Sequence, residues 1–353
     1  MMQELSQIIS QIKPVEPEWL ARAQERLDSL TKPPGSLGRL EELAARYVAI
    51  RGELFPRLEK KQVVVFAADH GVVAEGVSAY PQEVTLQMVY NFLRGGAGIN
   101  VLARHVGAAV EVVDIGVNHD FRELPGLISR KVAYGSRNMA REPALTLEEA
   151  LQAVMVGVER AQVAIAAGAD ALAAGDMGIG NTTPAAALGA IFTGKPASTV
   201  TGKGTGIGDD TWRHKVAIIN RALELHKPDA NKPLEALAKV GGLEIGGIAG
   251  LILGAAAARR PLILDGFIAT AGALVAAHLA PAVTDYLIAA HRSVEAGHQL
   301  MLETLGLKPL FNFQLRLGEG TGAALGLGML EAGLKIYQEM ATFAEAGVAE
   351  KQP

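Results

Sequence analysis

Residues Ala169–Pro184, ADALAAGDMGIGNTTP, contain the pattern that decides the fold of this chain. A short apolar run leads into a loop with three glycines, and Pro184 then opens an alanine-rich helix. A strand, a glycine loop and a helix N-terminus in this order form an anion site, because main-chain N–H groups and the positive end of the helix dipole point to one place. Asn181, Thr182 and Thr183 add side-chain donors. The stretch therefore predicts an α/β unit that binds a phosphate group.

Five further apolar runs are continuous, as buried parallel strands are, rather than alternating. Helical patterns such as Glu148–Ala166 and Gly241–Ala258 separate most of them. This alternation predicts an α/β fold, a doubly wound and mainly parallel sheet with helices on both faces. Asp or Gly follows most of the runs, and ligands bind beyond the carboxyl ends of such strands, so we expect one shared crevice there. The predicted strands are Gln62–Ala67, Val110–Asp114, Ala169–Ala174, Pro261–Leu264, Val283–Ile288 and Leu310–Leu315.

Both chain ends have helical patterns without adjoining strands. Pro17–Leu30 is amphipathic and ends before a Lys-Pro-Pro-Gly breaker, and Thr321–Phe343 is a second long helix pattern. We expect the two ends to pack together as a small helical domain of residues 1–30 and 320–353, beside a large α/β domain of residues 31–319.

Composition excludes several classes of function. The chain has 353 residues, of which 49% are hydrophobic and 20% charged, so we expect it to fold rather than stay disordered. A net charge of −4 without a basic block argues against nucleic acid as a partner, and the absence of cysteine excludes disulfides and thiolate catalysis. The apolar run Ile245–Ala258 is too short to span a membrane, and Gly266–Val283 contains His278 and Pro281, so the second run predicts a buried helix. With no secretory signal pattern at the N-terminus, we expect a cytoplasmic protein without a membrane partner.

The first glycine loop partly matches a dinucleotide-binding fingerprint. Thr183 replaces the third glycine, and no acidic residue lies near Val200, where a ribose-binding carboxylate is required, which disfavours NAD. A tight turn without a ligand stays open at this point. Gly189–Lys195 resembles a P-loop, but Pro196 stands where that motif needs Ser or Thr. The pattern also predicts the end of a helix here rather than its start, so we reject a P-loop.

A second glycine loop, Thr201–Gly208, contains Lys203 and precedes Lys215 on a predicted helix. Glycines let the backbone approach a ligand closely, and lysine supplies a compact positive charge for phosphate. Taken alone, this loop is equally compatible with a mobile surface segment. Two such loops in one chain favour a phosphorylated ligand.

His291, Glu295 and His298 have the spacing i, i+4 and i+7, which would place them on one helix face and within reach of a metal. We favour a surface or capping role, because no second carboxylate cluster completes a site, and we predict no metal. Ser293 lies just after a predicted strand, where its hydroxyl could reach an anion.

Glu319 stands between Gly318 and Gly320, at the junction of the last predicted strand and the last helix. Partial burial there would raise the pKa of its carboxyl towards the range of a general base. A glutamate at a helix N-terminus, stabilised by the dipole, is the alternative interpretation.

Seven motifs, in order along the chain, together resemble the nicotinate-nucleotide–dimethylbenzimidazole phosphoribosyltransferase family. The resemblance runs from about Thr31 to the C-terminal helix. It implies a homodimer, with a parallel-sheet large domain and a small helical domain made from both chain ends. The substrates it implies are nicotinate mononucleotide and a benzimidazole-type base, with no cofactor. The motifs are TKPPGSLGRLE (Thr31–Glu41), ADHGV with GVSAYPQEVT (Ala68–Thr85), GDMGIGNTT, TGKGTG, DGFIAT, HRSVEAGH and RLGEGTGAAL.

The resemblance also implies roles for single residues. Glu319 corresponds to the catalytic base of the family, and Asp176 stands where the family motif GEMGIGNTT has a glutamate, a second catalytic carboxylate with a shorter side chain. The residues predicted to bind the phosphoribosyl group are Gly178, Gly180, Asn181, Thr182, Lys203, Gly204, Lys215 and Ser293. For the benzimidazole they are Ser78, Tyr80, Gln87 and Leu317.

The implied reaction fits these residues. The donor carries a pyridinium at ribose C1′, which is already a good leaving group, so no metal is needed to activate it. The base attacks from the opposite face, and Glu319 accepts the proton of its second ring nitrogen, giving α-ribazole 5′-phosphate and nicotinate. The acceptor stays open between dimethylbenzimidazole, another benzimidazole, adenine and a phenol. The alternatives are an NAD-dependent oxidoreductase and a non-catalytic nucleotide-binding protein.

Overall fold

The structure, a computed structural model, describes residues 1–204 and 206–349, and a six-stranded parallel sheet lies at its centre. The strands are β1 (Lys61–Ala68), β2 (Ala108–Gly116), β3 (Leu127–Ser129), β4 (Ala171–Met177), β5 (Leu262–Leu264) and β6 (Leu287–Ala289). The helices are α1 (Met2–Gln11), α2 (Pro17–Ser29), α3 (Arg39–Arg51), α4 (Glu83–Leu93), α5 (Gly98–Val106), α6 (Leu147–Ala166), α7 (Thr182–Thr193), α8 (Ala197–Val200), α9 (Asp209–His226), α10 (Pro233–Val240), α11 (Leu243–Ala257), α12 (Phe267–Leu279), α13 (His298–Thr304), α14 (Thr321–Glu339) and α15 (Phe343–Ala346).

The strand order is β3-β2-β1-β4-β5-β6. Strands β2 and β3 therefore lie on one side of β1, and β4, β5 and β6 lie on its other side. Helices cover both faces, which confirms the predicted doubly wound α/β fold. The direction of winding changes between β1 and β4. In sheets of this kind the crevice at that change, beyond the carboxyl ends of the strands, is where ligands bind.

Strand β1 divides the core into two layers. Val63 and Val65 belong to the layer that contains α3 and α14, whereas Val64 and Phe66 belong to the layer that contains α6, α11 and α12. All four side chains are completely buried. Because both faces of the sheet are covered, the strand sequence is a continuous apolar run rather than an alternating one.

The predicted strand Val283–Ile288 is wrong in its extent. Residues Pro281–Tyr286 form a 3-10 helix, and only Leu287–Ala289 pair with β5. Proline begins this turn because its fixed φ and missing N–H suit the start of a helix and remove a donor from a sheet ladder.

The predicted strand Leu310–Leu315 is also wrong. Phe311 forms a single bridge with His291, and the Gln314 N–H then donates to Asn312 Oδ1 at 3.2 Å. The Val294 N–H still donates to the Leu315 carbonyl at 3.3 Å, so the segment runs beside the chain that follows β6 without forming a regular ladder with it. The sequence pattern, in turn, missed β3, which has only three residues and pairs with β2 alone.

The two chain ends meet on the α3 side of the sheet. Arg26 Nε of α2 donates to the Tyr337 carbonyl of α14 at 2.8 Å, and Leu30 forms an antiparallel bridge with Thr342. Helix α14 also packs against β4 and β5, whereas α1 packs against α11 in the other layer. The division into a domain of residues 31–319 and a second one from the chain ends stays a prediction.

Across residues 1–204 and 206–349, no helix is both long and apolar enough to cross a membrane.

Helices α6 and α11 approach each other so closely that glycine is required at their contact. A Cβ added at Gly250 would overlap the Val154 carbonyl oxygen, and one added at Gly157 would overlap the Gly247 carbonyl oxygen. Gly250→Ala should therefore lower the free energy of unfolding by about 1–3 kcal/mol, although alanine favours helices. Urea unfolding measures this change. Gly328→Ala on α14, where the new Cβ would meet only the Val106 side chain at 3.1 Å, is the matched control and should lower the free energy of unfolding much less, because a side chain can shift where a helix backbone cannot.

Candidate active site

The glycine loop that joins β4 to α7 lies where the winding of the sheet changes direction. A Cβ on Gly178 would overlap the Ala68 carbonyl oxygen at the end of β1, so only glycine permits this close approach. Gly180 has a φ of +89°, in the left-handed region that glycine adopts most readily. The predicted order of strand, glycine loop and helix is confirmed, and the loop lies at the predicted edge of the sheet.

A cleft with a buried lysine lies between this loop and α9. Lys215 is 1% exposed, and its Nζ donates to Thr182 Oγ1 at 2.6 Å. Burial lowers the pKa of Lys215 to about 8, while the charge of Glu295 opposes this change. Gly204, with a φ of +53°, lies beside the same Thr182 hydroxyl. The cleft is lined by Val77, Ser78, residues 178–182, Lys203, Gly204, Ile207 and Lys215.

A buried ammonium, a helix N-terminus and glycine backbone thus converge on one point, an arrangement that suits an anion. Seven of the eight residues predicted to hold the phosphoribosyl group line this cleft, namely Gly178, Gly180, Asn181, Thr182, Lys203, Gly204 and Lys215.

Lys203 and Ser293 are placed differently from the other six, and only Ser293 lies outside the cleft lining. Lys203 is at the rim, and its Nζ donates to Asp209 Oδ1 at 2.5 Å on the surface. Ser293 is buried, where its N–H donates to His298 Nδ1 at 2.9 Å and its Oγ accepts from the Glu295 N–H at 3.4 Å. None of these hydrogen bonds involves Lys215.

Glu319 is buried in a left-handed backbone conformation directly before α14. Its φ is +64°, between +82° at Gly318 and +90° at Gly320. Oε2 of Glu319 accepts the Ile99 N–H at 3.1 Å, at the N-terminus of α5 rather than of the helix that Glu319 precedes. Burial raises the pKa of Glu319, and the N–H groups of Ile99 and Gly98 oppose the rise. The raised pKa agrees in direction with the sequence prediction.

A short chain of contacts joins the lysine end of the cleft to Glu319. Thr182, the partner of Lys215, follows Asn181, whose Nδ2 donates to Asp176 Oδ2 at 3.0 Å. The Glu319 N–H in turn donates to the main-chain carbonyl of Asp176 at 3.2 Å. The two residues predicted as catalytic are therefore direct neighbours.

Asp265, which follows β5, is a buried carboxyl group. It is one of the Asp residues that follow predicted strands, but it was not among the predicted site residues. Its oxygens accept N–H groups at the start of α14, from Gly320 at 3.2 Å, Gly322 at 2.6 Å and Ala323 at 3.1 Å. Burial raises the pKa of Asp265 to about 7 even though these three bonds oppose it. Burial, with Asp265 as the next cause, also raises the pKa of Asp176 well above its ordinary value.

His70 and Glu244 form a buried pair behind the glycine loop. His70 Nε2 lies 3.0 Å from Glu244 Oε1 and 3.1 Å from where a Cβ of Gly178 would stand. Burial alone would lower the pKa of His70, but the charge of Glu244, its hydrogen bond and the charge of Asp69 together outweigh burial, so the pKa is raised. The sequence signal for this pair was Glu244, a single acidic residue at the start of the otherwise apolar helix α11.

The expected helical face of His291, Glu295 and His298 is wrong. His291 forms a bridge with Phe311, and α13 begins only at His298, so the three residues do not share a helix face. The favoured surface role is also wrong, because all three side chains are buried. His298 is buried, with a partner at each ring nitrogen. The Ser293 N–H donates to Nδ1, Nε2 lies 2.9 Å from Thr270 Oγ1, and burial lowers the pKa of His298 to about 3.

The residues predicted to contact the benzimidazole lie in three places. Ser78 lines the cleft with Lys215, and Tyr80, which is 51% exposed, donates its N–H to Ser78 Oγ at 3.3 Å. Leu317 is 61% exposed and lies against Gly98, on the side of Glu319. Gln87 is on the exposed side of α4, and this helix contacts the glycine loop through Thr85, whose Oγ1 accepts the Ile179 N–H at 3.0 Å.

The arrangement as a whole has an anion-binding end and an acidic end. The anion-binding end can hold a phosphate, and the buried carboxyls of Asp176, Asp265 and Glu319 can stabilise positive charge or accept a proton. A phosphorylated ligand that carries a cationic centre matches both ends.

Known proteins match nearly the whole chain. A family model described as phosphoribosyltransferase matches residues 12–348. A relative in Geobacter sulfurreducens, named nicotinate-nucleotide–dimethylbenzimidazole phosphoribosyltransferase, is 62% identical and aligned over 98% of both chains. One of the same name in Geobacter metallireducens is 60% identical, again over 98% of both chains.

A solved structure gives the same result. The crystal structure under this enzyme name from Thermus thermophilus matches with a TM-score of 0.90 and 53% identity, covering 95% of this chain and 100% of that one. With the two glycine loops, the buried lysine and the glycine-flanked glutamate in place, the chain belongs to the nicotinate-nucleotide–dimethylbenzimidazole phosphoribosyltransferase family and is a phosphoribosyltransferase.

Proposed function

We propose that this enzyme transfers the phosphoribosyl group from nicotinate mononucleotide to 5,6-dimethylbenzimidazole, with Glu319 as the general base. The products are α-ribazole 5′-phosphate and nicotinate. Similarity to the relatives named above supports the two substrates. A homodimer and a cytoplasmic location belong to the same proposal, and light scattering should give twice the mass of the chain.

The observation that carries the proposal is the contact chain from Lys215 to Glu319. A nucleotide whose phosphate meets Lys215 and the Gly204 backbone would direct its ribose along Asn181 towards Asp176. Its C1′ would then face the acidic end of the site, where Glu319 is the neighbour of Asp176. Leu317 offers an apolar surface beside Glu319 on which a flat aromatic base can lie.

The proposed step breaks one bond at C1′ and forms another. The bond from C1′ to the pyridinium nitrogen breaks, and its electron pair neutralises the departing nicotinate ring. The unprotonated nitrogen of the base forms the new bond from the opposite face, which inverts the anomeric centre. The second ring nitrogen becomes more acidic as this happens, and Glu319 takes its proton.

Asp176 supports the positive charge that develops on the ribose. Burial and the neighbouring carboxyls raise its pKa, so it holds a proton more readily before the donor binds. A cationic donor favours the ionised form, since an opposite charge nearby lowers a carboxyl pKa. The ionised form then stabilises an oxocarbenium-like transition state in a place that excludes water.

Lys215→Met should raise the KM for nicotinate mononucleotide about 10- to 100-fold, with a smaller change in kcat. Methionine fills the buried volume but does not donate to phosphate. Steady-state kinetics at saturating base measure both constants. Lys203→Met removes a rim charge that Asp209 already pairs, so it should raise the KM much less. Equal effects of the two variants would contradict the phosphate role of Lys215.

The proposed function is tested by incubating the purified protein with nicotinate mononucleotide and one base at a time, then identifying products by mass. The panel is dimethylbenzimidazole, benzimidazole, adenine and a phenol. We expect equimolar nicotinate and α-ribazole 5′-phosphate with dimethylbenzimidazole. Nucleotide binding without nicotinate release under any base would instead favour a non-catalytic nucleotide-binding protein.

A further inference from the structure

Glu295 is a buried carboxyl group that the proposed reaction does not use. It is 8% exposed and lies in the irregular segment between β6 and α13. A Cβ on Gly297 would overlap the Val200 carbonyl oxygen, so this segment packs directly on the chain entering the second glycine loop. A Cβ on Gly202 would overlap Glu295 Oε2, so the carboxyl itself lies against the backbone of that loop.

The groups that stabilise this carboxylate are those that a phosphate would need. Burial raises the pKa of Glu295, while the charge of Lys215, the nearby Gly204 N–H and the charge of Arg316 oppose the rise. The charge of Glu295 in turn supports the protonated form of Lys215. Lys215 and Gly204 are both in the cleft proposed for the phosphate.

The carboxylate is only partly satisfied where it lies. Within residues 1–204 and 206–349, Oε2 of Glu295 is buried without a hydrogen-bond partner. A buried polar oxygen that lacks a partner is destabilising, so the group is not placed there for stability alone. What favours the carboxylate is electrostatic, above all the charge of Lys215 and then the Gly204 N–H and the charge of Arg316.

We propose that Glu295 is an internal competitor of the substrate phosphate, lying against the second glycine loop beside the Gly204 N–H and offsetting the charge of Lys215 until a phosphate takes its place. This inference rests on the proposed function for the position of the phosphate. Inorganic phosphate would gain only these contacts and must displace the carboxylate to obtain them. A complete nucleotide adds ribose and base contacts that offset the displacement, so Glu295 would favour the phosphoribosyl substrate over free phosphate.

The test is a calorimetric titration of inorganic phosphate into the purified full-length protein, which needs no turnover. Glu295→Gln keeps the shape of the side chain and removes its charge. We expect its Kd for inorganic phosphate to fall about fivefold or more below that of the unaltered protein, as coupled sites typically show. Glu303→Gln removes an exposed carboxylate from α13 and controls for net charge, leaving the Kd unchanged.

A second pair of variants tests the mechanism. Where Lys215→Met has removed the contested cation, adding Glu295→Gln should no longer tighten phosphate binding. If a thermal melt shows that Glu295→Gln does not fold, Glu295→Asp takes its place. Its side chain is shorter by one methylene, so the charge lies farther from Lys215, and the Kd for inorganic phosphate should shift in the same direction.

An unchanged or weaker phosphate affinity in Glu295→Gln overturns the proposal, because a purely supporting carboxyl would loosen the loop when altered. Absence of turnover with every base would overturn the proposed function, yet the phosphate titration would still decide the role of Glu295. The two failures are therefore distinguishable.

Discussion

Glu319→Gln should lower kcat with dimethylbenzimidazole by about 10²-fold or more, while nicotinate mononucleotide still binds. Glutamine preserves the size of the side chain, and its carbonyl oxygen can still accept the Ile99 N–H. An amide does not take up the proton that the attacking base must lose. The contacts at Lys215 are untouched, so the KM for the nucleotide should change little. Steady-state kinetics with both substrates varied measure the two constants.

Glu303→Gln is the matched control for this variant, since it makes the same chemical change at an exposed position outside the site. It should keep full activity. Full activity in Glu319→Gln as well would remove the glutamate from its proposed role and leave the reaction without an identified base.

Asp176→Asn should lower the activity of the enzyme but raise its stability. The amide cannot carry the negative charge that stabilises an oxocarbenium-like transition state, so kcat should fall about 10²-fold or more. The same change removes a titratable group that is buried beside Asp265 and Glu244, and Asn181 can still donate to the new carbonyl oxygen. The variant should therefore be more stable than the unaltered protein at neutral pH, by about 1 kcal/mol or more.

The pH dependence of that stability difference follows from the direction of the pKa shift. Burial raises the pKa of Asp176 in the folded protein, so above the ordinary value of 3.8 the folded state keeps a proton that the unfolded state has lost. Stability of the unaltered protein then falls as pH rises through this window. Asp176→Asn lacks this fall, so its advantage in thermal unfolding should be larger at about pH 8 than at about pH 5. An advantage that is the same at both pH values would contradict the assigned cause.

The glycine loops were predictable because each demands a backbone that few residues supply. Gly178 meets the end of a neighbouring strand, and Gly180 adopts a left-handed conformation, so both requirements appear in the sequence as glycine. The buried strands were predictable for a similar reason, since a sheet covered on both faces needs continuous apolar runs. The segment Leu310–Leu315 contains Asn312 and Gln314 and lies beside the irregular chain that follows β6, so it forms one bridge rather than a ladder, and composition does not reveal that the neighbour is irregular.

The acidic groups around the site were only partly predictable. Asp265 and Glu244 lie about 90 and 70 residues from Asp176 in the chain, and only the sheet order brings the three together. His291, Glu295 and His298 have a spacing that suits a helix, yet the chain is irregular until His298. Local spacing predicts a shared face only where the local structure is regular, and long-range packing decides the rest.

The central claim, that the Glu319 carboxylate accepts the proton released by the attacking base, is tested most directly with an acceptor that has no such proton. With 1,5,6-trimethylbenzimidazole one ring nitrogen is methylated, so attack by the other nitrogen requires no proton acceptor. The account predicts that Glu319→Gln is at least about 10²-fold slower than the unaltered enzyme with dimethylbenzimidazole, but nearly equal to it with the methylated base. An equally large deficit with both acceptors would contradict the account.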